Sequence, residues 1–130
     1  VLGTSSLLQV ILVGVGNLGS ALLRYSGFNK EGFEISAAFE SDPMRLRAVS
    51  AEIPVMDVSL MTKYVMDNEV KIAIMAVPAE TAQEVANSLV DAGVQAFLNF
   101  SSTVLKTPDD VIVNSVDLAL ELEHLSYFVK

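Results

Sequence analysis

The chain has 130 residues, 52% hydrophobic and 18% charged, which excludes a disordered segment and predicts one domain with a real core. Its net charge of −8 repels phosphate, and no basic run or basic-aromatic patch offsets it, so this chain alone is expected to bind neither DNA nor RNA. The absence of cysteine excludes disulfides, a thiol nucleophile and zinc-finger spacing; it fits a reducing cytosol, so a cytoplasmic location and no metal site are expected.

Residues 1–8 read as a tail or linker, and 9–130 as the domain. The first charge is Arg24, but Gly14, Gly16, Asn17 and Gly19 interrupt the uncharged stretch before it. A membrane span is therefore rejected, and without a basic n-region so is a secretory signal. Val10 to Val13 is a short apolar run suited to a strand buried on both faces, so the first strand is predicted over 9–13. A helix over 17–25 follows, then a polar connection from Gly27 to Gly32 and a second strand over 34–39. Pro43 can start a short helix. Ile53 to Met56 reads as a strand at the sheet margin, because of its proline. Ser59 can cap the next helix. Lys71 to Val77 is a buried strand ended by Pro78. Residues 79–92 form an amphipathic helix closed by Gly93. Strands at Val94–Asn99 and from Val111, then a helix from Asp117 to Val129, complete the chain. This alternation predicts an α/β fold: a doubly wound parallel sheet of the Rossmann kind, with helices on both faces.

Between the first strand and first helix stand Gly14, Gly16 and Gly19, spaced Gly-x-Gly-x-x-Gly. Strand, glycine turn and helix together point to dinucleotide binding. Gly14 allows the tight turn, Gly16 lets backbone approach a pyrophosphate, and Gly19 lets the helix pack on the sheet. Asn17 and Leu18 then sit at the positive end of the helix, facing the phosphates. A glycine-rich turn without ligand is the plainer alternative.

Glu40 stands 21 residues after Gly19, directly after the second strand. A carboxylate there can accept hydrogen bonds from the adenosine ribose and repel a 2′-phosphate, favouring NAD(H) over NADP(H). Asp42 competes for the role, and Arg45 and Arg47 complicate the exclusion of phosphate. Val77 and Pro78, with Asn99, Phe100 and Ser101, fall at carboxyl ends of strands and are expected to line the pocket; Asn99 can hydrogen-bond a ribose or carboxamide. No catalytic residue is expected. His124 is the only histidine, in the last helix, and no acid–base set converges with it. That last helix carries Leu118, Leu122, Leu125 and Val129 in one stripe, with Leu120 and Tyr127 nearly opposite. Two apolar faces imply a partner chain, hence a homodimer through Asp117–Val129.

Taken together, Val10–Tyr25, Ala38–Pro43, Val77–Gln83, Leu98–Ser101, Val116–Leu122 and Leu125–Phe128 resemble the Rex family of redox-sensing transcriptional repressors. The resemblance implies a homodimer with a final helix swapped between subunits, and binding of NADH and NAD⁺. It also implies a winged-helix DNA-binding domain that this chain lacks, with DNA released when NADH binds. By the same resemblance Tyr25 and Asp117 match the switch pair, and Leu118 matches an apolar position near the partner's nicotinamide. Glu40 replaces the family's usual aspartate, and Ser102 a usual proline. The competing readings are the cofactor domain of a dehydrogenase and a coenzyme A-binding domain.

Overall fold

Val10 to Val13 are excluded from solvent on both sides, and they build the central strand of the sheet. The structure is a computed structural model that describes residues 7–25, 27–48, 52–117, 122, 123, 125–127 and 129. In chain order the elements are β1 (Leu8–Val13), α1 (Asn17–Arg24), α2 (Gly27–Lys30), β2 (Phe33–Glu40), α3 (Pro43–Ala48) and β3 (Val55–Asp57). A 3₁₀ turn (Val58–Leu60) then leads to α4 (Met61–Asn68), β4 (Ile72–Met75), α5 (Ala79–Ala92), β5 (Ala96–Asn99) and β6 (Ile112–Ser115). All six strands are parallel, in the order β3-β2-β1-β4-β5-β6. The order reverses between β1 and β4, which opens a crevice at their carboxyl ends. The α/β doubly wound sheet is thus as the sequence predicts.

Alternate residues of β1 serve opposite faces. Ile11 and Val13 join Phe39, Met75 and Phe97 beneath α4 and α5, in a core with Val65, Ala82, Ala86 and Leu89. Val10 and Leu12 join Leu23 of α1 on the other face, with Ile35, Ala38 and Ile74. In β2 the alternation slips, because Val10 pairs with Ile35 while Ile11 pairs with Ala37. Ser36 is the extra residue of this bulge, which lets Ile35 and Ala38 face the same side. Its hydroxyl accepts from Tyr64 of α4 at 3.0 Å.

Several boundaries differ from the sequence reading. β1 begins at Leu8, inside the stretch read as tail. The segment read as a polar connection contains the short helix α2, on which Phe28 packs edge-on against Tyr25 at 4.9 Å. β2 runs through Glu40, so this residue closes the strand instead of following it. Asp57, not Ser59, caps the turn before α4: its carboxylate accepts the Ser59 N–H at 2.9 Å. An aspartate two residues ahead closes an Asx turn that a serine inside the turn cannot. β4 ends at Met75, because the chain must turn before Pro78. α5 ends as expected, at Gly93 with φ of +116°. Of the final helix, Leu122, Glu123, Leu125 and Ser126 are helical, with both leucines exposed. Leu118, Leu120, His124 and Phe128 lie outside the described residues.

Candidate functional site

The turn after β1 is shaped by two of its three glycines. Gly14 has φ of +98°, and a Cβ there would fall onto the carbonyl oxygen of Ala76. A Cβ on Gly19 would fall onto the carbonyl oxygen of Gly14, so α1 sits directly on the turn. These two glycines are demanded by the chain's own packing. Gly16 is not. A Cβ there would meet only the Arg45 guanidinium, whose Nη1 lies 3.6 Å away, and Gly16 itself has φ of −80°. The space above Gly16 is therefore a cradle that a side chain would fill, and it opens at the start of α1. That helix has no side-chain cap and no acid in its first turn. Its first N–H groups have no intrahelical acceptor, and its dipole attracts an anion. A pyrophosphate beside Gly16, Asn17 and Leu18 fits this cradle.

Glu40 fixes the same turn. It is only 6% exposed, and its carboxylate accepts three backbone N–H groups. Oε1 accepts Val15 at 2.7 Å, while Oε2 accepts Ser41 and Asp42, both at 2.9 Å. Three of a carboxylate's roughly four acceptor positions are thus taken, leaving one on Oε1 for a hydroxyl. The bond to Val15 ties the end of β2 to the glycine turn across 25 residues. Asp42 is engaged differently: it accepts the Met44 N–H at 2.9 Å and lies 4.0 Å from Arg45.

At the carboxyl end of the sheet a cleft of about 530 Å³ opens. It gathers Gly14, Glu40, Val77 and Pro78 from the predicted set. Arg45 of α3, Met61 and Thr62 of α4, and Thr81, Glu84 and Val85 of α5 are among its other walls. Sequence reasoning missed these α4 and α5 residues: Val85 reads as part of the apolar face of α5, and Met61, Thr62 and Thr81 carry no local signal that brings them to the ends of the strands.

Asn99, Phe100 and Ser101 follow β5, beside β4 at the same end of the sheet: the Phe100 N–H donates to Met75 O at 2.9 Å. Asn99 is fully buried, and its amide is spent on the protein. Its Oδ1 accepts both the N–H and the hydroxyl of Ser101, at 3.0 and 2.7 Å. Its Nδ2 donates to Thr103 O at 2.9 Å and, more weakly, to the Ser115 hydroxyl at 3.4 Å. All four positions of the amide are used, so Asn99 shapes the loop; the sequence expectation that it bonds a ribose or carboxamide requires one of these bonds to break.

Tyr25 is elsewhere. α1 runs back from the crevice, and Tyr25 lines a second cavity with Gln9 and Glu34, at the amino ends of β1 and β2. Asp117 follows β6 at the carboxyl end and is exposed. Within one chain the expected switch pair thus stands at opposite ends of the sheet. Leu118 lies outside the described residues. Among the described residues no group of three or more His, Asp or Glu side chains can hold a metal, and no helix is long and apolar enough to cross a membrane.

The family model of the CoA binding domain matches residues 6–103, three quarters of the chain and all of the glycine turn, Glu40 and Asn99. The chain belongs to this family. Its most informative similarities are to Rex repressors. It is 44% identical over 130 residues to the redox-sensing transcriptional repressor Rex of Carboxydothermus hydrogenoformans, covering 100% of this chain and 62% of that protein. It is 42% identical over 126 residues to Rex of Streptomyces coelicolor, covering 97% of this chain and 49% of that one. Among solved structures, the Rex-family repressor RSP in complex with β-NADH is similar at a TM-score of 0.88 and 37% identity, over 98% of this chain and 62% of that one. RSP with β-NAD⁺ and operator DNA is similar at a TM-score of 0.87, over 59% of that chain. The chain thus spans about three fifths or less of the Rex proteins it matches.

Proposed function

We propose that this chain is the NADH-sensing domain of a redox-responsive transcriptional repressor, and that it is not an enzyme. The observation that carries the reading is the open cradle over Gly16, beside a turn whose other two glycines are accounted for by packing. The cradle suits a pyrophosphate, held by the N–H groups of Gly16, Asn17 and Leu18. Gly14 and Gly19 hold the turn in shape. Glu40 offers its remaining acceptor position to the adenosine ribose, and its negative charge disfavours a 2′-phosphate. Val77, Pro78, Phe100 and Ser101, with Asn99 behind them, line the nicotinamide half. The likeness to RSP, whose structures hold β-NADH or β-NAD⁺ with operator DNA, supports the same ligand pair here.

The second part of the reading concerns assembly. Leu122 and Leu125 are 70% and 61% exposed, and an apolar groove of about 330 Å³ crosses the α1 face of the sheet past Ile72, Ile74 and Leu98. Exposed leucines and an apolar groove support a homodimer through residues 117–129. The resemblance to Rex alone suggests Leu118 as the apolar position near the partner's nicotinamide. Only across such a dimer can Tyr25 and Asp117 meet as a switch pair. DNA is bound by a winged-helix domain outside this chain, in the cytoplasm. The reduced ring is neutral and the oxidised ring cationic, so an apolar lining penalises NAD⁺.

A coenzyme A site is the second reading, favoured by the description of the family model. Calorimetric titration separates the two: NADH is expected to bind and coenzyme A to bind weakly or not at all. Tight coenzyme A binding with none of NADH would overturn the proposal.

A further inference from the structure

We propose that Gln83 is a positioning residue for the nicotinamide half of the site, acting through the segment that joins β5 to β6. The inference rests on the nucleotide reading above. Residues 100–111 form no helix or strand, so their order depends on specific pins. Asn99 is one, at the start of the segment. Leu105 is another, its side chain buried in the core beneath α4 and α5.

The third pin is Gln83, on α5. Its Oε1 accepts the Lys106 N–H at 2.8 Å, and its Nε2 donates to the Lys106 carbonyl at 2.8 Å. The side-chain amide thereby pairs with both backbone groups of Lys106, as a neighbouring strand would. The Oδ1 of Asn87 accepts the second Nε2 proton at 2.9 Å and holds the amide in this orientation. A flipped amide would set donor against donor and acceptor against acceptor. Glutamate matches the shape of Gln83 but not its donors, and alanine removes both bonds.

Placement gives the clamp its consequence. α5 begins directly after Pro78, which walls the cleft, and Gln83 lies five residues further along. One helix therefore carries a wall of the site and the grip on the loop that holds Ser101. The dinucleotide crosses the sheet at the switch point, with adenosine on the Glu40 side and its second half beside β4 and β5. The clamp thus acts through the loop of Ser101 on the nicotinamide side, while the adenosine side has its own brace in the three bonds of Glu40.

The test compares NADH with ADP-ribose, which has the adenosine and pyrophosphate but no nicotinamide, on the purified protein and its Gln83→Ala and Gln83→Glu variants. Calorimetry is expected to show NADH affinity about tenfold lower for Gln83→Ala, the scale of two lost neutral hydrogen bonds partly offset by water, with an intermediate loss for Gln83→Glu. ADP-ribose affinity should stay within about twofold, because its contacts lie on the other half. Hydrogen exchange at the Lys106 amide should quicken in Gln83→Ala, which removes its acceptor, and less in Gln83→Glu, which keeps it. A parallel loss of both ligands would assign Gln83 a general structural role and overturn the proposal, and so would unchanged NADH affinity. Failure of the unaltered protein to bind NADH would instead remove the nucleotide reading, and this proposal with it.

Discussion

The two halves of the sheet's carboxyl edge are held by different means. On the β1–β3 side a buried charged carboxylate, Glu40, binds three backbone N–H groups within two residues of β2 and across to the glycine turn. On the β4–β6 side neutral amides, Asn99 and Gln83, hold a segment without regular structure. Bonds to a charged acceptor contribute about 1.5–3 kcal/mol each, and neutral ones about 1 kcal/mol. The first half is accordingly the firmer one. Under the proposed function the difference separates two tasks: a firm half for the adenosine and a looser half for the nicotinamide ring.

The largest expected effect breaks both halves together. Gly19→Ala drives a Cβ into the Gly14 carbonyl, where only backbone can yield, and should cost about 4 kcal/mol of stability and abolish nucleotide binding. Denaturant melts and a titration on the same sample check this; a stable Gly19→Ala protein would mean that α1 does not rest on the turn. Next, Glu40→Ala leaves the Val15 N–H buried without an acceptor. A loss of about 3 kcal/mol is expected, with ADP-ribose and NADH weakened equally. If only the ligands were affected and the thermal midpoint held, Glu40 would be a ribose ligand and not a brace.

Asn99→Ala sharpens the comparison from the other side. It removes the bonds that shape Ser101 and Thr103, so NADH affinity should fall about tenfold while ADP-ribose changes little. Equal losses would place the loop under both halves. The smallest effect is that of Asp57. Hydrogen bonds from Ser59 hold its carboxyl below the ordinary aspartate value of 3.8. A depressed folded-state value contributes stability above the unfolded value, and that contribution is lost as pH falls through the folded one. Asp57→Ala should therefore narrow the difference in stability between pH 7 and strongly acidic solution, by a small amount because the group is exposed. A variant with the unaltered acid profile would show that the Asp57 cap does not form in solution.

The strands, the glycine turn and α5 are legible in the sequence because their signals are local: an apolar run, a fixed spacing, a helical period. So is the position of Glu40, which follows from its distance to Gly19. Its bracing of Val15 is not legible, since it depends on a strand–turn approach across 25 residues. Asn99 reads as a ligand-facing polar residue, yet its burial and four bonds become visible only when Thr103 and Ser115 are brought beside it. The Gln83 clamp spans 23 residues and leaves no local trace. The Asp57 cap was within reach, because aspartate two residues before a serine is itself an Asx-turn signal.

On the proposed function the β4–β6 half reads the redox state of the ring and the β1–β3 half does not. This division is tested most directly by calorimetric affinities for NADH, NAD⁺ and ADP-ribose on the one purified protein. NADH is expected to bind at least about tenfold more tightly than NAD⁺, the scale of a modest penalty for burying one positive charge, with ADP-ribose near NAD⁺. Equal affinities for NADH and NAD⁺ would contradict it.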